Sequence, residues 1–447
     1  MSVVFEWGVW AGCLADQCLA CWAFRTTTTP FMTSRRLARP LTASLLFAAA
    51  IVAAGCSSTP VAVPGAGGGA GVEAAEASTV SAPVVDPAAP TIPEPVVSEA
   101  ATEPVAEPTS LECVAALPIE TRVAQVLMPF IDGDGLEVAG EVVERFSPGG
   151  VLLMSWPDGA PDDGLGLLSA RASIPLQIAV DEEGGTVQRL RRLSTIPSAR
   201  AVAESMSPAE AEELIAEHAS IVAGLGVTMV FAPVVDVAPL SGPDTMGTRT
   251  FSTDPAVVAD YAAAYARAWQ RAGVMPVLKH FPGHGSASAD THDARATTPA
   301  LDVLAGRDLE PYRALADHGG LGVMVGHLDV PGLTDTGDGA DAVPASLSTA
   351  AITGVLRGDL GYGDALVVTD ALNMAAITTG FSEAEAALAA LIAGADVVLY
   401  ANLADTAAII DHIGLGLLSG VLSTQRLDDA VDRVLRTKAV DACALID

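Results

Sequence analysis

Lys279, His280, His284, Asp290 and His292 fall within one short stretch of a chain that has only seven histidines. Pro282 and the glycines at 283 and 285 prevent a continuous helix there, which leaves a strand followed by a shaped loop. Loop-borne imidazoles and carboxylates serve proton transfer or metal binding more often than packing. A metal at His280 and His284 would need both rings on one helix face, and Pro282-Gly283 denies that geometry. No metal and no other cofactor is therefore expected, and acid–base chemistry is. Asp181, Asp236, His327 and Asp370 each follow an apolar or β-branched run in the same way. Asp is also a favoured helix N-cap, so for Asp236 capping and function stay equally open. Asp370, behind Val367-Val368-Thr369, is read as functional.

Those runs are the elements that must position the chemistry. After Cys113, short apolar segments alternate with Ala- and Leu-rich amphipathic stretches, the pattern of repeated β-α units around a parallel sheet. The predicted strands are Val126–Ile131, Gly150–Met154, Leu176–Val180, Val227–Val235, Met275–Phe281, Gly322–Gly326, Ala365–Thr369 and Val397–Tyr400. Eight such strands predict a closed (β/α)8 TIM barrel over residues 113–447, α/β in class. The polar strand ends would then share the C-terminal rim, where barrels of this kind build their sites. A doubly wound open sheet is the alternative. No Gly-x-Gly-x-x-Gly follows any of the strands, which removes that sheet's commonest cofactor reading.

Half of the 447 residues are hydrophobic and 17% are charged, enough for a large core. A net charge of −31 argues against nucleic acid as a partner, because phosphate binding needs clustered Lys and Arg. The cysteines at 13, 18, 21, 56, 113 and 443 form no repeated C-x-x-C pair, and Cys113 with Cys443 brackets the globular part as a candidate disulfide if that part is exported. Near the start, Arg35, Arg36 and Arg39 precede an apolar run, Leu41 to Ala54, too short to span a bilayer comfortably, which ends in Ala53-Ala54-Gly55-Cys56. This resembles a bacterial lipoprotein signal, in which Cys56 would become the lipid-bearing N-terminus. An ordinary secretory signal is the alternative. Residues 1–56 are thus expected to be an extension plus signal, with Met32 a candidate true start. Residues 57–112 carry no Lys, Arg or aromatic residue and are expected to be a disordered tether. The expected location is the outer side of the cytoplasmic membrane, with the membrane a partner through the lipid.

Lys279-His280-Phe281-Pro282-Gly283-His284-Gly285 followed by Asp290-Thr291-His292 resembles the signature of family 3 glycoside hydrolases, in their single-domain β-N-acetylglucosaminidase branch. The likeness continues through Asp181-Glu182-Glu183-Gly184-Gly185, Phe231-Ala232-Pro233-Val234-Val235-Asp236, Gly247-Thr248-Arg249, Pro344-Ala345-Ser346 and Val368-Thr369-Asp370-Ala371. It implies Asp370 as nucleophile, His292 as general acid/base and Asp290 as its orienting partner. Asp181, Arg189, Arg249, Lys279 and His280 would hold the sugar hydroxyls. A retaining glycosidase needs one nucleophile at the anomeric carbon and one group that gives and then takes a proton. An imidazole, with an ordinary pKa of about 6.5, does both near neutral pH. Two departures stand out: Ala371 replaces a common acidic residue after the nucleophile, and Thr291 replaces a common serine.

The resemblance therefore predicts an exo-β-N-acetylhexosaminidase acting on terminal N-acetylglucosamine of peptidoglycan fragments or related glycans. Two-domain β-glucosidase relatives take an acid/base from a following domain, which is not expected here because the sequence ends soon after the eighth predicted strand. Two alternatives stay open. A neutral histidine repels an anion less than a carboxylate does, which would suit a phosphorylase. A non-catalytic lipoprotein that binds cell-wall sugars is the other.

Overall fold

The computed structural model describes residues 108–335 and 343–446. The signal, Cys56 and almost all of the tether lie outside them. Ser110–Ala116 is helical, capped by Thr109, whose side chain and backbone exchange hydrogen bonds with Glu112. Residues 110–112, which composition assigned to the tether, are thus the start of this helix. A reciprocal cap of this kind satisfies two orphan N–H groups, which an Ala- and Pro-rich background conceals.

Eight parallel strands close into a barrel: β1 (Leu127–Asp132), β2 (Gly150–Ser155), β3 (Gln177–Val180), β4 (Met229–Val230), β5 (Met275–Phe281), β6 (Gly322–Val325), β7 (Leu366–Ala371) and β8 (Val397–Tyr400), with β8 pairing back onto β1. Every predicted strand is present. β4 is much shorter than the expected Val227–Val235, because Pro233 has no N–H to offer a ladder. β5 still donates to the Ala232 and Pro233 carbonyls, and a bridge joins Val234 to Lys279.

Alternate side chains fill the barrel. Met128, Leu152, Met229, Phe231, Met324, Val368 and Leu399 form an inner core, while a larger core lies between strands and helices. Two of the flanking helices, Pro208–Gly224 and Pro255–Arg271, begin with proline at their first turn behind a Ser207 or Asp254 cap. At the opposite end of the barrel from the polar rim, Asp396 is fully buried and paired with Arg357, Arg426 and Arg433. Cys113 and Cys443 form the candidate disulfide, joining the first described helix to the last turn of the chain. Among the described residues, no helix is long and apolar enough to cross a membrane.

Candidate active site

The C-terminal rim holds a cavity of about 310 Å³ whose apolar base is the top layer of the barrel core: Leu152, Phe231, Met324 and Leu399. Its polar lining comes from strand ends and the loops after them. Asp181 follows β3, and a short hairpin, Glu182–Gly184 with Val187–Gln188, extends that strand over the rim. Gly184 and Gly185 turn the hairpin at φ +95° and +59°, and a Cβ on Gly184 would stand 2.3 Å from the Pro197 carbonyl oxygen. Only glycine meets both demands.

Side chains alternate along this extended segment, so Asp181 and Glu183 face the cavity while Glu182 faces away. Glu182 is buried against the His218 ring at 2.8 Å and accepts from the Leu190 N–H. Lys279, 3% exposed in its side chain at the end of β5, bridges Asp181 at 2.7 Å and Glu183 at 2.6 Å. Arg249 meets Glu183 with two parallel bonds of 2.7 Å, and Arg189 reaches Asp181 at 3.3 Å. Burial alone would raise Asp181, but the Lys279 ammonium and the Arg189 guanidinium bring it down to about 2. Glu183 is lowered in the same way by Lys279 and Arg249, against its burial. Lys279 is raised, since its two carboxylates outweigh the burial that would lower it. The floor is thus a ring of permanently ionised, mutually paired groups, suited to a neutral polyhydroxyl ligand that both donates and accepts.

Asp236, fully buried, accepts from the backbone N–H groups of His280 and His284 and from the His280 ring at Nδ1, 2.7 Å away. Its position in the sequence left capping open, and the structure gives it to the loop after β5 instead. His280 Nδ1 must carry the proton, since a carboxylate only accepts, and Nε2 is left beside Arg249 Nη2 at 3.4 Å. Asp370 lies half-buried at the end of β7 and accepts the Ala371 N–H at 2.8 Å. Burial would raise its pKa, and the neighbouring His280 and His327 rings more than offset that, so it is held low. His327 donates from Nε2 to the Ala371 carbonyl and meets the Ser346 hydroxyl at Nδ1, and burial lowers its pKa.

The loop carrying Asp290 and His292 stands at the cavity mouth. His292 lines the cavity with Asp370, and its ring Nδ1 lies 2.8 Å from Asp290, which also accepts the His292 backbone N–H. Asp290 is lowered despite partial burial by these two bonds. With Nδ1 donating to a carboxylate, Nε2 is the atom that can give or take a proton.

The structure thus brings Asp181, Arg189, Arg249, Lys279, His280, His292 and Asp370 to one cavity, with Asp290 on a small adjoining recess that also includes His292 and Asp370. Sequence reasoning missed Glu183 as a site residue. The period of two along a strand end was the signal, as it pairs position 183 with 181 rather than with 182. The ring of His327 was noticed only as a strand-end residue, and its partners lie too far along the chain to be read from spacing. Among the described residues, no cluster of His, Cys, Asp and Glu is arranged to hold a metal.

Residues 166–437 match the glycosyl hydrolase family 3 N-terminal domain. The chain belongs to glycosyl hydrolase family 3. Among its relatives, the β-hexosaminidase LpqI of Mycobacterium tuberculosis is 41% identical over 350 residues, covering 75% of this chain and 88% of that protein. A solved family 3 member from Mycobacterium smegmatis is 43% identical with a TM-score of 0.68, covering 72% of this chain and 98% of the other. A solved family 3 β-N-acetylglucosaminidase from Paenibacillus is 31% identical with a TM-score of 0.67, covering 74% of this chain and 64% of the other. The family membership and the closed barrel agree with the resemblance read from the motifs.

Proposed function

We propose that this family 3 protein is a retaining exo-β-N-acetylhexosaminidase that removes terminal N-acetylglucosamine, with Asp370 as nucleophile, His292 as general acid/base and Asp290 as its orienting partner. The observation that carries the reading is one cavity, closed below by the barrel core, that holds an ionised carboxylate and a carboxylate-oriented imidazole together. An apolar base of Leu152, Phe231, Met324 and Leu399 that closes the cavity suits the end of a glycan, not its middle. In the first step Asp370 attacks the anomeric carbon while His292 Nε2 gives its proton to the departing oxygen. In the second, His292 takes a proton from water as that water displaces Asp370. Asp181, Glu183, Lys279, Arg189, Arg249 and His280 hold the sugar hydroxyls throughout. Relatives named β-hexosaminidase and β-N-acetylglucosaminidase support the sugar.

We further propose that Cys56 carries a lipid that tethers the enzyme to the outer face of the cytoplasmic membrane, where peptidoglycan fragments are at hand. The Cys113–Cys443 disulfide supports an oxidising location. Release of nitrophenol from an aryl N-acetyl-β-glucosaminide, with and without phosphate, tests the activity. The expected result is release that phosphate does not accelerate, with free N-acetylglucosamine as product. Sugar 1-phosphate as product would make the protein a phosphorylase, and absence of turnover on any aryl glycoside would leave a binding protein.

A further inference from the structure

Within the loop that follows β5, burial is uneven. Asp290 and His292 are 48% and 66% exposed in their side chains, whereas Thr291 between them is 1% exposed. Its hydroxyl lies 3.1 Å from Nε2 of His284, a ring that is itself buried and has the Thr245 hydroxyl 3.4 Å from Nδ1. The His284 backbone N–H is fixed in turn on Asp236 at 2.6 Å, the same carboxylate that holds His280. On the other side, the carbonyls of Thr291 and His292 accept from the N–H groups of Ala376 and Ala375, in the segment that follows Asp370. A continuous run of hydrogen bonds thus connects Asp236, at the barrel wall, to the residue between the exposed pair.

A buried hydroxyl between two exposed groups is a side chain placed to fix their position. Solvent contributes nothing to orienting Asp290 and His292, and the bond between them sets their geometry only relative to each other. The backbone bonds to Ala375 and Ala376 limit how far the loop can move from β7. The His284 ring fixes where along the rim Thr291 sits.

We propose that His284 and Thr291 are positioning residues, and that the bond between the imidazole and the hydroxyl places His292 for proton transfer to and from the glycosidic oxygen. This rests on His292 being the acid/base, as proposed above. Thr291→Val keeps the branched shape and removes the hydroxyl, and Thr291→Ser keeps the hydroxyl. Acid catalysis matters for an aryl glycoside with a poor leaving group and little for one with a good leaving group. kcat/KM reports that first step alone. Misplacing a proton donor by a fraction of its reach is expected to cost Thr291→Val about 10- to 100-fold in kcat/KM on the phenyl glycoside and less than about threefold on the dinitrophenyl glycoside. Thr291→Ser should stay within about threefold of the parent on both. Thr291→Val added to His292→Ala should cost nothing more, because there is no longer an imidazole to position. Circular dichroism and melting temperature check that each variant is folded.

Equal losses on both substrates, a loss that persists on top of His292→Ala, or no loss at all would overturn the proposal. His292→Ala measured alone separates the two ideas. If its loss is independent of the leaving group, the acid/base assignment falls and the proposal with it. If its loss depends on the leaving group while that of Thr291→Val does not, only the positioning role is lost.

Discussion

The floor of the cavity and the loop at its mouth are built on opposite terms. Asp181, Glu183 and Lys279 lie on or beside strand ends and Arg249 on a turn of the loop after β4, largely buried, each charge answered by another within hydrogen-bond distance. Asp290 and His292 sit on a loop, exposed, held by the buried Thr291 side chain between them and by backbone bonds from Ala375 and Ala376. The difference fits the roles proposed for the two regions. Groups that hold hydroxyls gain from rigidity and from exclusion of water, since a buried ionic bond is stronger and cannot be replaced by solvent. A group that hands a proton to a leaving sugar and takes one from water needs contact with that water.

Breaking one pair in the floor is expected to have the largest effect. Glu183→Ala leaves Lys279 and Arg249 short of a partner in a buried setting and should lower stability by about 3–5 kcal/mol. Thermal melting reads this, and a melting temperature within a degree of the parent would mean that the floor is far wetter than its burial implies. Asp290→Asn at the mouth should do the reverse. Stability stays nearly unchanged because the site is half exposed, while kcat falls on the order of a hundredfold as the His292 ring loses the partner that orients it and stabilises its cation. A drop in melting temperature as large as that of Glu183→Ala would erase the distinction between the two regions.

A smaller test uses a buried charge that the floor does not answer. Asp308 lies against Gly283, beneath the loop after β5, with one carboxylate oxygen unpartnered and Arg307 no nearer than 3.5 Å. Burial raises it to about 6, helped by the nearby Asp236 charge and opposed by Arg307. A carboxylate raised above its unfolded value contributes its full stability below pH 3.8 and loses it as pH rises through about 6. Asp308→Asn should therefore stabilise the protein by about 1–2 kcal/mol at pH 7 and give no gain below pH 4. A gain that is the same at both pH values would show that the Asp308 carboxyl is not raised in the folded protein above its unfolded pKa.

Much of the barrel was legible because its strands are short apolar runs set between amphipathic stretches, a pattern that survives without knowledge of any partner. The exception is β4, where Pro233 cuts the ladder inside a run that reads as continuous strand. The site was legible wherever a chemical residue ends or follows a strand, as with Asp181, Lys279 and Asp370. It was illegible where the function of a residue is set by a partner far along the chain. Glu183 gains its meaning from Arg249 and Lys279, and Asp236 from the backbone of His280 and His284, none of which spacing reveals. His284 belongs to the same class. Proximity to His280 invited a metal, whereas the ring turns to Thr291.

The central claim is that Asp370, at the end of a strand, forms a covalent bond to the sugar while His292, on the loop, handles the proton. The most direct test is to trap that bond with a fluorinated N-acetylglucosaminyl fluoride, which forms the ester quickly and loses it slowly, and to locate it by peptide mass mapping. The account predicts one added sugar on the peptide containing Asp370, and none in Asp370→Ala. A label on another carboxylate, or steady hydrolysis of an aryl N-acetyl-β-glucosaminide by Asp370→Ala at the rate of the parent, would contradict it.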